Sequence, residues 1–172
     1  MPMDHRTLEA LTSVDTGPDM PRGATMLALN NAHAGELSWL TPAGLAHLVD
    51  QAWLAWRIGD VDAFMLALDQ TATYDSPNFD WFRARYPRFV YVDRIVVVPA
   101  ARGRGLARQL YDALIRRALQ AGHERVVCEV NIDPPNPQSD AFHSALGFAE
   151  VGSASIHGAA KTVRYLARSL KS

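Results

Sequence analysis

The sequence lacks the features that mark several special classes of protein. Its 172 residues include one cysteine, Cys128, which excludes an intramolecular disulfide. No Cys/His cluster has the spacing of zinc ligands, so we predict no metal site. No apolar run approaches the roughly 20 residues that span a bilayer, and no charged-then-apolar signal pattern opens the chain. These absences predict a cytoplasmic protein that does not enter a membrane.

The sequence also has no excess of charge of either sign. The formal net charge is −1, with no basic patch and no acidic run, so we expect neither nucleic acid nor a polycation as a partner. Hydrophobic residues make up 48% and charged residues 20%, which is typical of a globular protein. We predict a loosely ordered lead-in over residues 1–22, which hold Pro2, Pro18 and Pro21, and a single domain over residues 23–172.

Hydrophobic periodicity and turn residues predict a mixed α/β sheet flanked by helices. Thr41 followed by Pro42 is typical of a helix start, and the apolar run that ends in Val98 suits a strand covered on both faces. The predicted strands are 24–29, 52–58, 63–68, 89–98, 125–131, 148–156 and 162–166. The predicted helices are 42–50, 78–85, 105–121 and 139–146.

A glycine-rich turn joins the strand at 89–98 to the helix at 105–121. Backbone N–H groups at a helix start lack intrahelical partners and carry partial positive charge, and Gly103 and Gly105 let phosphates approach them. A dinucleotide fingerprint fails because Arg108 occupies its third small position, and a Walker loop fails because no lysine follows. The turn therefore suits a pyrophosphate, and a tight turn with solvated arginines is the alternative.

With its surroundings, the turn resembles the cofactor motif Q/R-x-x-G-x-G/A of the GNAT superfamily of N-acetyltransferases. Arg102, Gly105 and Ala107 fill the three defined places, after a strand that ends in a Val-x-Pro-like segment. The resemblance implies a GNAT-like acyltransferase fold, with a mixed, mostly antiparallel sheet splayed between its middle strands, and acetyl-coenzyme A as cofactor. The residues it implies are Val96, Val97 and Val98 along the pantetheine arm and Arg102, Gly103, Arg104, Gly105, Leu106 and Ala107 around the pyrophosphate.

A second block resembles the family pattern N-x-x-A-x-x-(apolar)-Y-x-x-x-G-F and looks like that of a little-characterised bacterial subgroup. The resemblance implies that Asn136, Ser139 and Phe142 flank the thiol end of the cofactor. His143 stands in the place of the family's tyrosine, which commonly reprotonates the departing thiolate. A histidine can donate a proton near neutral pH, so His143 is the candidate acid; a helix histidine without a chemical role is the alternative.

The acceptor amine needs a base, because a lysine-like amine has a pKa near 10.4. The family usually uses an acid on the central strand, or a water that it orders. Asp93 is the acid on that strand, and a salt bridge to Arg94 is the alternative to a catalytic role. Glu129 on the next strand is a competitor, and Asp75 is a weaker one.

Two further residues of the strand at 125–131 are candidates for the site. We expect Asn131 at the point where the central strands splay, holding a water or a pantetheine amide; a residue that merely ends the strand is the alternative. Cys128 suggests an acyl-enzyme, but free cysteine is among the most buried residue types. We therefore expect a small buried side chain there and a direct transfer.

The polar and aromatic segment 71–86 precedes the central strand, where the family places substrate loops. Asn31, at the beginning of the domain, is predicted to border the same pocket. The alternative is that the aromatic residues of the segment cap the core. The acceptor-binding residues predicted with Asn31 are Tyr74, Ser76, Asn78, Phe82 and Tyr86.

Together these residues predict an acetyl-coenzyme A-dependent N-acetyltransferase that modifies a primary amine of a small molecule or peptide by direct attack. A backbone N–H near Val97 or Val98 is expected to polarise the thioester carbonyl. A catalytically degenerate module that binds coenzyme A as a sensor or partner is the alternative, and a transferase for a longer acyl group is a third hypothesis. The resemblance also suggests a homodimer, since dimers are common in this superfamily.

Overall fold

The structure is a computed structural model that describes residues 7–17, 19–35 and 37–171. Within these residues seven strands form one sheet, and five helices pack against it. The strands are β1 (Leu8–Ala10), β2 (Leu54–Ile58), β3 (Ala63–Asp69), β4 (Val90–Val97), β5 (Arg125–Asp133), β6 (Ala149–Ile156) and β7 (Lys161–Ser169). The helices are α1 (Pro21–Ala32), α2 (Pro42–Gln51), α3 (Pro77–Arg83), α4 (Leu106–Gln120) and α5 (Pro137–Ala145).

The sheet is mixed and mostly antiparallel, with the strand order β1-β2-β3-β4-β5-β7-β6. Its parallel pair is β4 with β5, which are in register only at Val90 with Val126 and Tyr91 with Val127. Both strands run on for several residues beyond these pairs, so they splay apart. The predicted fold, including the splay between its middle strands, is confirmed.

A β-bulge lies directly beside the splay. The pairing of β3 with β4 passes from Leu66 opposite Arg94 to Ala67 opposite Val92, so Asp93 is the extra residue on β4. A bulge bends its strand and re-aims the side chains around it. The bulge therefore falls two residues beyond the last β4–β5 pair, where it contributes to the separation of the strands.

Two hydrophobic cores cover the two faces of the sheet. Helices α4 and α5 pack on one face, where Leu110 and Leu114 of α4 are fully buried. Helices α1, α2 and α3 pack on the other, where Phe79 and Phe82 are fully buried. Thr41 caps α2 by accepting a hydrogen bond from the Gly44 N–H, as the Thr-Pro pair predicts.

The prediction of a strand at 24–29 is wrong, because these residues belong to α1. The buried residues of α1 are Gly23, Met26 and Asn30, spaced three and four apart as on one side of a helix. A six-residue apolar run does not distinguish a buried strand from a helix segment, and Pro21 at the first helical position was the missed signal.

The predicted lead-in is not loosely ordered throughout. Within residues 1–22, β1 pairs with the outer edge of β2, with Leu8 opposite Ile58 and Ala10 opposite Trp56. Residues 1–6 and Pro18 lie outside the described residues. Three residues are too few to show the alternation of apolar and polar side chains that predicts a strand. The pairing of β1 with β2 could therefore not be predicted from the sequence of β1 itself.

Candidate active site

A cavity of about 140 Å³ lies in the gap between β4 and β5. Helices α4 and α5 contribute to its wall from one face of the sheet, and α3 with the segment between α1 and α2 contributes from the other. The cavity therefore reaches both faces. Its polar lining residues are Ser38, Tyr74, Ser76, Asn78, Tyr91, Asp93, Arg94, Tyr111, Glu129, Asn131, Asn136, Ser139, His143, His157 and Lys161.

Glu129 on β5 is held by a network of neutral donors. The Tyr91 hydroxyl lies 2.8 and 3.0 Å from its two carboxylate oxygens, and Asn78 Nδ2 donates to Oε1 at 3.1 Å. The Tyr165 hydroxyl donates to Asn78 Oδ1 at 2.9 Å, which fixes the amide orientation. No cation pairs with Glu129 among the hydrogen bonds and ion pairs of residues 7–17, 19–35 and 37–171.

Burial raises the pKa of Glu129 from its ordinary 4.5 to about 7. The hydrogen bond from Tyr91 lowers this pKa, the negative charge of Asp93 raises it, and the bond from Asn78 lowers it. A carboxylate with a pKa near neutral pH, at the wall of a cavity, has the properties of a general base.

Asp93, the predicted base, forms a buried ion pair with its neighbour. Arg94 Nε lies 2.6 Å from Asp93 Oδ2, and both side chains are 2% exposed. Arg94 Nη1 also donates to Asn30 Oδ1 at 2.6 Å and to the Ser38 carbonyl at 3.2 Å. The salt bridge that was the alternative to a catalytic role is therefore present, and it ties α1 and the segment after it to the bulge.

His143 on α5 is buried, with both ring nitrogens engaged. Nδ1 lies 2.7 Å from the Ser139 carbonyl oxygen, and Nε2 lies 2.9 Å from the Tyr111 hydroxyl. The rings of Tyr111, Phe142 and Phe148 surround the imidazole edge-on at 5.4 to 5.5 Å. Burial lowers the pKa of His143, and the bond to the Ser139 carbonyl and the charge of Asp140 partly offset this.

The glycine turn presents an open helix start. Gly103 and Gly105 adopt φ values of 77° and 76°, in the left-handed region that favours glycine. Gly105 is the N-cap of α4, and no side chain among the described residues caps that helix. A Cβ placed on Gly103 would meet nothing within 4 Å. Free N–H groups beside open space fit the pyrophosphate of coenzyme A.

Other predicted cofactor residues lie on β4 and at the start of α5. Val96 and Val97 belong to the part of β4 that has left β5, and Asn136 is the N-cap of α5, accepting from the Ser139 N–H at 3.3 Å. The Val98 N–H, one of two candidates to polarise the thioester carbonyl, donates to the Asp62 carbonyl at 2.9 Å. That amide is therefore already engaged within the protein.

Several predicted acceptor residues do not line the cavity. Asn31 instead bonds both the N–H and the carbonyl of Leu40. Phe82 is a core residue, and Tyr86 stacks on it outside the cavity. Tyr74, Ser76 and Asn78 do line it. The predicted pocket was too broad, because aromatic density alone does not distinguish core residues from pocket residues.

Three hydroxyl-bearing residues of the site were missed by sequence reasoning: Tyr91, Tyr111 and Tyr165. Each interrupts a buried apolar pattern, as Tyr111 does between Leu110 and Leu114 of α4. A tyrosine in such a position usually finds a hydrogen-bond partner. That signal was available, but the partner is set by the packing of other elements.

Residues 7–17, 19–35 and 37–171 contain neither a membrane-spanning helix nor a metal-binding cluster. No helix there has the length and apolar character needed to cross a membrane. No group of three or more His, Cys, Asp or Glu side chains is placed to hold a metal ion. Cys128 is buried, as predicted.

The sequence matches the acetyltransferase (GNAT) family over residues 45–148. The fold is similar to that of the ribosomal-protein-S18-alanine N-acetyltransferase from Escherichia coli, with a TM-score of 0.67 at 16% identity over 98% of this chain and 96% of that one. An N-acetyltransferase from Staphylococcus aureus Mu50 has a TM-score of 0.67 at 15% identity, over 98% of this chain and 100% of that one. Ard1 from Thermoplasma volcanium has a TM-score of 0.70 at 14% identity, over 96% of this chain and 98% of that one. At these identities the structures establish the fold alone.

Proposed function

Because the chain belongs to the acetyltransferase (GNAT) family, whose members are acyltransferases, we propose that it acetylates the primary amine of a small molecule or peptide, with acetyl-coenzyme A as donor. When bound, acetyl-coenzyme A supplies the acetyl thioester. The observation that carries this proposal is Glu129, a half-buried residue whose carboxylate has a pKa of about 7 on the wall of the cavity between the splayed strands.

Glu129, rather than Asp93, is the base in this proposal. Asp93 Oδ2 is engaged by Arg94 Nε in a buried ion pair, so this oxygen is not free to contact an amine. The side chains that donate to Glu129 within the described part of the chain, Tyr91 and Asn78, are neutral, and it takes up a proton near neutral pH. Asp93 then serves to hold Arg94 and to raise the pKa of Glu129 by its charge.

The coenzyme A path runs from the α4 turn to the cavity. Arg102, Arg104 and the amides of Gly103 to Ala107 hold the pyrophosphate, supported by the exposed, uncapped start of α4. Val96 and Val97 on β4 and Val98 after it are the residues proposed to border the pantetheine arm, supported by the absence of β5 pairing along this part of β4. Asn131, Asn136, Ser139 and Phe142 border the thiol end, and His143 supplies the proton that the departing sulfur takes up.

The acceptor reaches Glu129 from the α3 face. Tyr74, Ser76 and Asn78 line the cavity on that side and offer hydroxyl and amide groups to a polar amine. The name of the Escherichia coli neighbour specifies an alanine of a ribosomal protein as its acceptor, which supports the inclusion of peptide amines among the candidates. A soluble cytoplasmic enzyme, in monomeric or homodimeric form, is compatible with this proposal.

The direct test is thiol release from acetyl-coenzyme A over a panel of small amines, amino acids, polyamines and peptides. With an amine that reacts, we expect Glu129→Gln to lower kcat by about 10²–10⁴-fold, as the loss of a general base does. Glu150→Gln is the matched control, because Glu150 pairs with Arg164 outside the cavity. Tight binding of coenzyme A by calorimetry without thiol release on any amine would favour the sensor or partner module instead.

A further inference from the structure

Tyr111 is a buried tyrosine of α4 that the proposed base and cofactor sites do not use. Its hydroxyl lies 2.9 Å from His143 Nε2 and within hydrogen-bonding reach of the Cys128 thiol. Cys128 is the first residue of β5 after the last pair with β4. The hydroxyl therefore reaches the point where the strands part, and Tyr111 lines the cavity there.

The partners of His143 fix the positions of its protons. Nδ1 lies 2.7 Å from the Ser139 carbonyl oxygen and 3.2 Å from the Ser139 hydroxyl oxygen. The carbonyl oxygen can only accept, so the shorter contact requires a proton on Nδ1 in both the neutral and the cationic ring. In the neutral ring Nε2 has a lone pair, and the Tyr111 hydroxyl donates to it. In the cationic ring the Nε2–H donates to the hydroxyl oxygen. A tyrosine hydroxyl serves both states because it is donor and acceptor.

We propose that Tyr111 and His143 form one proton-transfer pair, in which the Tyr111 hydroxyl, rather than the imidazole, passes the proton into the cavity. This inference rests on the proposed function. In the transfer the Nε2–H bond of cationic His143 breaks as an O–H bond forms at Tyr111 Oη. The original Oη–H bond breaks at the same time, and its proton goes to the leaving sulfur. His143 ends neutral and Tyr111 ends as a hydroxyl. Glu129 releases to solvent the proton it took from the amine, and one proton from solvent restores the Nε2–H.

The coupling is necessary because neither residue suffices alone. Burial raises the pKa of Tyr111 well above 10, so a lone phenolate in this core is strongly disfavoured. If His143 gives Tyr111 a proton at the moment Tyr111 loses its own, no phenolate is formed. In His143, Nδ1 is bonded to the Ser139 carbonyl and Nε2 faces the Tyr111 hydroxyl. The proton that His143 can give up is the one on Nε2, and the hydroxyl is the group that it contacts.

The test compares Tyr111→Phe, His143→Phe and the double variant, with Tyr86→Phe as a matched control whose hydroxyl lies outside the cavity. We expect Tyr111→Phe to lower kcat by about 10²–10⁴-fold, while the affinity for coenzyme A, measured by calorimetry, stays unchanged. The alkaline limb of the kcat profile, which reports loss of the His143 proton, should disappear. The double variant should be no slower than either single variant, because residues that act as a unit are non-additive.

Nitrogen-15 NMR of His143 gives a readout that does not depend on turnover. The wild-type ring should be the Nδ1–H tautomer with Nε2 hydrogen-bonded, and in Tyr111→Phe the Nε2 shift should move to that of an unbonded lone pair. A Tyr111→Phe variant with the kcat of the wild type and an intact alkaline limb would overturn the proposed Tyr111–His143 pair. A double variant whose loss of kcat equals the product of the two single losses would overturn it as well. Wild-type protein that releases no thiol with any amine would overturn the proposed function as well.

Discussion

The hydroxyl of Tyr91 contacts both carboxylate oxygens of Glu129, at 2.8 and 3.0 Å, across the last point at which β4 and β5 run side by side. Tyr91 belongs to the final β4–β5 pair, whereas Glu129 lies two residues beyond it on β5. The contact thus spans the start of the splay. It stabilises the ionised form of a carboxylate that burial would otherwise keep protonated.

Removal of this hydroxyl should make Glu129 harder to ionise. In the wild-type protein we expect the Glu129 carboxyl to titrate at about 7, followed by carbon-13 NMR of its side chain. In Tyr91→Phe the midpoint should move to higher pH, because the bond that favours the charged form is lost. The acid-side loss of kcat/KM should move the same way. An unchanged midpoint would show that Tyr91 does not stabilise the carboxylate.

The raised pKa of Glu129 should also appear in the stability of the fold. The folded-state pKa of about 7 exceeds the ordinary 4.5, so the folded protein binds the proton more tightly than the unfolded chain between these values. The contribution of this group is fully present below pH 4.5 and is lost as pH rises to 7. At about 1.4 kcal/mol per pKa unit, the loss is on the order of 3 kcal/mol.

Glu129→Gln removes the titration and keeps the shape, so thermal unfolding at pH 5 and pH 8 isolates this contribution. We expect the wild-type Tm to fall more than the variant Tm between these two pH values. The other titratable groups are the same in both proteins, so the difference between the two falls reports Glu129 alone. Equal falls in the two proteins would mean that Glu129 titrates near its ordinary pKa in the folded state.

Features that depend on neighbouring residues in the chain were predictable from the sequence. The Thr41-Pro42 cap, the strands β2 and β3, and the strand–turn–helix from Val90 to Gln120 all carry local signals of turn residues and periodicity. The splayed sheet was predicted through the family resemblance of the two cofactor blocks. These elements carry most of the residues that we propose to bind the cofactor.

The acceptor side depends on contacts between distant segments and was less predictable. Asp93 and Glu129 are both acids on central strands, and only the packing reveals that Arg94 pairs with one and Tyr91 with the other. The bulge at Asp93 arises from the register with β3, which no local pattern encodes. The partner of Tyr111 comes from α5, 32 residues further along the chain.

Gly103 should be required for coenzyme A binding rather than for the turn alone. Gly103→Ala places a methyl group in the open space in front of the helix start and forces alanine to φ 77°. Gly122→Ala, with φ 78° after the other end of α4, is the matched control with equal backbone strain. Each should cost about 1–2 kcal/mol of stability. Only Gly103→Ala should weaken coenzyme A binding, by about tenfold or more; equal affinities by calorimetry would place the pyrophosphate elsewhere.

The buried Asp93–Arg94 pair should be a structural requirement of the bulge. Arg94→Ala leaves Asp93 buried without its cation and removes one donor each from Asn30 Oδ1 and the Ser38 carbonyl, which keeps its bond from Asn30 Nδ2. We expect a loss of about 3–5 kcal/mol in the free energy of unfolding by urea, because removal of one partner leaves an uncompensated buried charge. Arg83→Ala, which breaks a half-exposed pair with Asp80, should cost about 1 kcal/mol or less. Asp93→Asn in the Arg94→Ala background should recover part of the loss, since it removes the unpaired charge; no recovery would mean that Arg94 stabilises the fold through Asn30 and Ser38 instead.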